Sequence, residues 1–475
     1  MKGAVSTGHP LTTQAALRML KKGGNAFDAL VSAGFASTVT ESIFASLGGG
    51  CFILGHHFED QKDFFYDCFV NTPGLGKVNP SAPQLIPMEL HFSRTTQVFH
   101  VGMASIAVPG MLKGLIHCYQ ENCSMDLDDL IQPAIEYLAQ GIELTPSQEY
   151  ILRVVKPIFD LSDYGREIYR YDSNKKLYNP LYQEFLKLRS IERWLEICFT
   201  GKQTETFIKD MEHGGGFVTK EDLNSYQVIE RTPYVVNYRN CQVVSNPPPS
   251  FGGPIICRAL SILQELPMHD KDPVQKALIR AEILKQINHF KGAGGTTHMN
   301  VIDSQNNAAC LSASAGTGCG YFYPETGILM NNMMGEEDLH PGEFYCGKAG
   351  TRVSSMMAPT FIKKEGKVIA SLGTGGSNRI RSSILQVVMN LIDEGMTIEE
   401  AVEYPRMHFD EKDCLQVEKG LPENVMRLIL ERYPEANIWP NKDLYFGGVH
   451  SVMANLDGWG DSRRNGCYEK LDIVS

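Results

Sequence analysis

The chain has 475 residues, 43% of them hydrophobic and 21% charged, which suits one large domain or two smaller ones built around buried cores. Forty-four lysines and arginines against 55 acids leave a net charge of -11 without any basic run, and this argues against nucleic acid and anionic membrane surfaces as partners. Twelve cysteines are scattered with no CxxC pair or dense metal-ligand spacing, so a reducing compartment is expected rather than a disulfide framework.

The first five residues, Met1 to Val5, run straight into a strand-like stretch with no charged n-region, apolar core or cleavage site. The longest apolar candidate, residues 29–47, is interrupted by Thr38, Thr40, Glu41 and Ser42, so no membrane anchor is expected. A cytoplasmic location is the resulting expectation. Residues 11–22 carry apolar side chains at helical spacing and stop at Gly23-Gly24-Asn25. A second helix is expected over 26–38, then the turn Gly48-Gly49-Gly50 and a strand over 51–56. Amphipathic patterns predict helices over 111–121, 127–140, 146–155 and 180–198. Residues 234–244 read as a hairpin or strand pair stopped by Pro247-Pro248-Pro249. Strands follow over 297–303, 308–314 and 367–372, with helices over 379–392 and 423–432. Two strand-rich segments, each flanked by helices, predict a layered α/β sandwich.

Chemistry concentrates at Thr296, which follows Gly292-Ala293-Gly294-Gly295 and precedes Thr297-His298. A hydroxyl residue between a glycine run and a strand has the form of a self-cleavage site. Cutting between Gly295 and Thr296 would free an α-amine of pKa near 8 that can act as base for the threonine's own hydroxyl. Read alone, the same residues are a loop followed by an ordinary strand, and the tripeptide is weak as a signal. Gly48-Gly49-Gly50 and Gly373-Thr374-Gly375-Gly376-Ser377 lack the spacing of a phosphate loop, and the first reads as a tight turn. The absence of a G-x-S-x-G elbow argues against an α/β-hydrolase.

Taken in order, the motifs resemble the γ-glutamyltranspeptidase family of N-terminal nucleophile hydrolases. They are Gly8-His9-Pro10-Leu11, Gly23 to Ala29, Val108-Pro109-Gly110, Pro247 to Gly253, Thr296-Thr297-His298, Arg352 to Met356, Gly375-Gly376-Ser377, Pro405-Arg406 and Asp461-Ser462-Arg463-Arg464. The resemblance implies a four-layer αββα sandwich made as a precursor. Cleavage would give a large segment, 1–295, and a small one, 296–475, that remain together as a heterodimer in one globular unit. It also implies attack by Thr296 on a γ-glutamyl amide such as glutathione, an acyl-enzyme, and transfer of the acyl group to water or an amino acid, with no cofactor or metal. By the same resemblance Ser314 stands where a threonine usually hydrogen-bonds the nucleophile. Gly375 and Gly376 match the pair whose N–H groups form the oxyanion hole, and Ser354 and Ser355 the pair holding the substrate α-carboxylate. His298 reads as a packing residue.

Departures from the pattern bear on the substrate. Phe69, in Asp67-Cys68-Phe69-Val70, stands where the family carries an arginine that clamps the α-carboxylate, and a ring cannot make a bidentate charged contact. Gly316 replaces an asparagine and Met333 a frequent glutamine. Of the amine-binding set an acid remains, Glu336, with Glu337 beside it. Arg352 or Arg379 would be substitute cations. The expected function is hydrolysis of a γ-glutamyl amide in preference to transpeptidation. An acylase acting on a non-glutamyl amide, or a silent uncleaved binding protein, are the alternatives.

Overall fold

The strands Thr297–Asp303 and Ala308–Ser314 are buried at every position, so each is covered on both faces rather than alternating between core and water. The computed structural model describes residues 2–77, 82–92, 96–170, 175–289, 295–340 and 343–472. It sets these two strands at the centre of a seven-stranded antiparallel sheet. The order is Cys467–Asp472, Lys2–Thr7, Thr297–Asp303, Ala308–Ser314, Gly50–His57, Lys62–Cys68 and Ile229–Arg231. A six-stranded antiparallel sheet lies against it, ordered Gly458–Trp459, Gly448–Met453, Lys367–Gly375, Thr360–Lys364, Cys241–Ser245 and Tyr234–Tyr238. Lys367–Gly375 crosses over both central strands of the first sheet, and Ser371 Oγ donates to Asn300 Oδ1 across the gap at 2.6 Å.

Helices close the two outer faces. Pro10–Lys21, Ala26–Thr40 and Met111–Asn122 pack on the first sheet, and Gly252–Gln264 and Arg379–Ile392 on the second, which completes the four αββα layers. Ala26–Thr40 is buried along its whole length, because the sheet lies on one side and Met111–Asn122 and Leu127–Gln140 on the other. A capping box formed by Asn25 and Asp28 starts it, and the Asp28 carboxylate also accepts from Ser124 and Met125. Among the described residues no helix is long and apolar enough to cross a membrane.

Two elements differ from the sequence reading in ways that matter. Residues 180–198 do not form one helix. Pro180–Lys187 ends, Arg189 turns into the left-handed region at φ 50, Ser190 caps Ile191–Leu195, and the chain runs on through a π-helical turn, Glu196–Thr200. The break lets Trp194 fold back and donate to Phe185 O at 2.9 Å, a tertiary contact that overrides helical propensity. The strand expected over 367–372 extends to Gly375, which carries the glycine pair to the start of the Thr297–Asp303 strand. Gly292, Ala293 and Gly294 lie outside the described residues.

Candidate active site

Thr296 lies just before the central strand, 3% exposed. The carbonyl of the preceding residue, Gly295, accepts a short hydrogen bond from Ser314 Oγ, which in turn accepts from Gly316 N at 3.1 Å. Ser314 is brought there by register: Ala313 pairs with Thr297, and Ser314 is the last residue of the neighbouring strand. Its hydroxyl therefore polarises the carbonyl that an attack by Thr296 would need electrophilic.

Gly375 arrives from the other sheet. A β-carbon on it would lie 1.9 Å from Thr296 O, so only glycine permits this approach. Gly376 follows with φ +133, and the chain passes directly into the helix Arg379–Ile392, whose first residue donates through its backbone N–H to Gly376 O at 3.0 Å.

The residues expected to read a glutamate head group are not among those lining the cleft at Thr296, although Gly316 adjoins the Gly295–Thr296 junction through its bond to Ser314. Phe69 is buried at 1% exposure, its ring 5.5 Å from that of Phe52. Ser354 Oγ donates to Pro249 O at 3.0 Å, and Ser355 Oγ accepts from Met357 N at 3.1 Å. Met333 is buried. Around Gly316 the protein fills its own space: a β-carbon there would stand 2.0 Å from Asn332 Oδ1 and 2.4 Å from Glu336 Oε1, and φ is +65. Asn332 Oδ1 also accepts from Thr317 N at 2.8 Å. Glu336 is buried, whereas Glu337 is exposed.

Arg352 is not a substitute cation. Its guanidinium donates to the carbonyls of Phe69, Asp67 and Gln227 and to Asn71 Oδ1, and its Nε lies 3.0 Å from Asp67 Oδ1. Its bonding capacity goes into fixing the strand end that carries Phe69. Arg379 is half-buried, donates to Tyr445 O at 3.1 Å and stacks on that ring at 4.9 Å.

A different cation stands beside the nucleophile. Arg464 Nη1 donates to Thr296 O at 3.4 Å, and the guanidinium lies 6.0 Å from the centre of the Phe44 ring. Its Nε is shielded from solvent and has no hydrogen-bond acceptor among the described residues. Burial, reinforced by the charge of Arg379, pushes its pKa down to about 10, so it stays protonated at neutral pH. Thr296, Gly375 and Arg464 line a narrow cleft open to solvent, with Phe44, Ile151 and Leu444 as an apolar wall and Ser147, Gln148, Glu41 and His450 as polar neighbours. The first turn of helix Pro146–Phe159 is set against this cleft by Gln148, which closes a capping box with Thr145 and donates to Thr40 O at 2.9 Å.

His298 points between the sheets, bonded to Ser312 Oγ and Asn300 Oδ1 at 2.8 and 3.0 Å. Burial lowers its pKa to about 3, against the opposing Asn300 bond, so it is neutral and packed at physiological pH. Sequence reasoning did not single out Glu41, Gln148, His450 or Arg464 for the site. The available signals were an acid at the end of an otherwise apolar helix, and the second arginine of Asp461-Ser462-Arg463-Arg464.

Comparison with known proteins bears on the family and the fold. The family model described as Gamma-glutamyltranspeptidase matches residues 12–291 and 275–470. The Acylase ACY 1 proenzyme of Pseudomonas sp. (strain SE83) is 30% identical over 518 residues, covering 96% of this chain and 90% of the relative. The glutathione hydrolase proenzyme of Escherichia coli (strain K12) is 27% identical over 546 residues, covering 96% of this chain and 89% of the relative. In fold, the cephalosporin acylase from Bacillus halodurans superposes with a TM-score of 0.83 at 21% identity, over 98% of this chain and 95% of that one. With a family model spanning nearly its whole length and an αββα sandwich converging on Thr296, the chain belongs to the γ-glutamyltranspeptidase family of N-terminal nucleophile hydrolases.

Proposed function

We propose that the chain is a self-processing amide hydrolase that removes an acyl group other than γ-glutamyl and passes it to water. The observation that carries this reading is the filled space at Gly316, where Asn332 and Glu336 occupy the volume a longer side chain would take. Phe69 packed in the core and Arg352 consumed by backbone carbonyls support it. A donor amide has instead the apolar wall of Phe44, Ile151 and Leu444 beside Thr296.

In the precursor, Thr296 Oγ attacks the Gly295 carbonyl carbon while Ser314 holds its oxygen. The C–N bond breaks as the C–O bond forms, and the hydroxyl proton passes to the Thr296 nitrogen. Water then hydrolyses the Gly295 ester and leaves Thr296 as a free N-terminus. In turnover the α-amine takes the Oγ proton and returns it to the leaving amine, with the Gly375-Gly376 backbone N–H groups facing the oxyanion. A second reading, γ-glutamyl hydrolysis, is favoured by the retention of Ser354, Ser355 and Glu336.

On a denaturing gel the 52.9 kDa chain should resolve into fragments of about 33 and 20 kDa, the smaller beginning at Thr296, and Thr296→Ala should remain whole. Chromogenic anilides separate the two readings. Simple acyl anilides should exceed the γ-glutamyl anilide in kcat/KM by at least about tenfold, the scale of one lost charge-assisted contact, with no stimulation by glycylglycine. Tight binding of the γ-glutamyl donor with strong glycylglycine stimulation would establish the second reading instead. A persistent single band from folded protein would remove both.

A further inference from the structure

The acid that ends the helix Ala26–Thr40 turns beneath the start of the Thr297–Asp303 strand. Glu41 is 2% exposed and forms no ion pair among the described residues. Thr297 Oγ1 donates to its Oε2 in a short bond, and Thr12 Oγ1 donates to Oε1 at 3.1 Å. A β-carbon on Gly8 would lie 2.3 Å from Oε2 and 2.9 Å from Thr297 Oγ1, so residue 8 is glycine where this contact closes. A buried carboxylate at a helix C-terminus opposes the helix dipole, yet here it lines the same cleft as Thr296. Strand alternation explains its reach. His298 abuts Gly373 on the facing sheet, so Thr297 points the opposite way, toward the helices and Glu41, and Thr296 points back inward.

We propose that Glu41 is a positioning residue of the amide cleavage: acting through Thr297, it fixes the rotation of the strand start that carries Thr296 and sets a negative charge near the α-amine that cleavage exposes. The proposal rests on Thr296 being the nucleophile. Burial raises the Glu41 carboxyl to about 7, against the Thr297 and Thr12 bonds and the charge of Arg464. His450 and the cation Arg464 share its cleft, and His9 follows the Gly8 that abuts it; burial lowers both histidines to about 4, so each is neutral near pH 7. Ionised, Glu41 accepts both threonine bonds. Protonated, it must donate through one oxygen, which reverses the direction of one of those bonds. Its titration therefore belongs to the ascending limb of activity with pH, together with that of the α-amine.

The test uses cleaved wild type, Glu41→Gln, Thr297→Val and Thr297→Ser, with kcat and KM for a simple acyl anilide measured over roughly pH 5 to 9. Glu41→Gln should lower kcat about tenfold with KM within about twofold, and move the ascending limb to lower pH because the amine loses a neighbouring negative charge. Thr297→Val leaves the carboxyl one donor short and should move the limb to higher pH, whereas Thr297→Ser should match wild type. In the double variant the Thr297→Val shift should vanish. A folded Glu41→Gln protein with the wild-type limb, or additive effects in the double variant, would overturn the proposal while leaving the cleavage reading intact. If Glu41→Gln fails to fold or cleave, the Thr297→Val and Thr297→Ser pair decides with the native acid in place. A wild-type chain that never cleaves removes the Thr296 reading and this role together.

Discussion

Ser314 holds the Gly295 carbonyl in the uncut chain through a short hydrogen bond. Removing a hydrogen bond to an oxygen that gains negative charge forfeits about 1.5–3 kcal/mol. Ser314→Ala should then slow self-cleavage by roughly 10- to 100-fold in a gel time course, while Ser314→Thr, which keeps the hydroxyl, stays within about threefold. Equal rates for all three chains would show that the bond is incidental. The glycine pair is a poorer target. A side chain at 375 meets Thr296 O and one at 376 meets the φ +133 backbone, so substitutions there report strain before chemistry. At this scale the sequence marked Thr296, Ser314 and the glycines through residue type and order. Arg464 was invisible as a site residue because nothing in its spacing says which of four successive motif residues faces the cleft.

The segment that carries Arg464 is anchored by a buried ion cluster. Arg406 Nη2 reaches Asp461 Oδ2 at 2.6 Å, Arg463 reaches Glu418 Oε2 at 2.6 Å, and Arg463 Nη1 lies 3.2 Å from Asp461 Oδ1. Asp461 also accepts from Val449 N at 2.8 Å, which ties the segment to the strand Gly448–Met453. Burial alone would raise the Asp461 carboxyl, but Arg406 and Arg463 outweigh it and hold the pKa down to about 2. A folded-state pKa below the unfolded value of about 3.9 stabilises the protein above that pH, and the contribution is lost as pH falls through the folded value. Asp461→Asn should cost about 3–5 kcal/mol near neutrality, because it leaves buried arginines under-compensated. The gap to wild type should narrow below about pH 3, and denaturant melts at the two pH values measure it. A gap independent of pH would mean that shape rather than charge holds the segment. Elements with strong periodicity, such as Leu127–Gln140, Arg379–Ile392 and Glu423–Arg432, were legible within the sequence. The break at Arg189 was not, because the contact that selects it, Trp194 on Phe185, is made only after the chain folds back.

Across the molecule, strands from both sides of the Gly295–Thr296 junction alternate in one sheet. Lys2–Thr7 lies between Cys467–Asp472 and Thr297–Asp303, and Gly50–His57 pairs with Ala308–Ser314. Cutting the junction therefore breaks one peptide bond and leaves every ladder intact. The two fragments should elute together near the 52.9 kDa of the whole chain in size exclusion and separate only in denaturant. Dissociation in native buffer would show that the junction itself holds the sheet.

The sequence by itself determined the family, the layered αββα architecture and the position of Thr296, because ordered motifs and hydrophobic period are local properties that survive without coordinates. Tertiary structure decided what surrounds that threonine. Arg352 stands beside Phe69 yet spends its donors on backbone carbonyls, and Asn332 and Glu336 fill the space left by Gly316. Glu41, 255 positions from Thr296 in the chain, reaches the cleft through Thr297. Such contacts arise where two sheets and two helices meet, and direction and occupancy at a convergence of distant segments are not encoded in the spacing of any one of them.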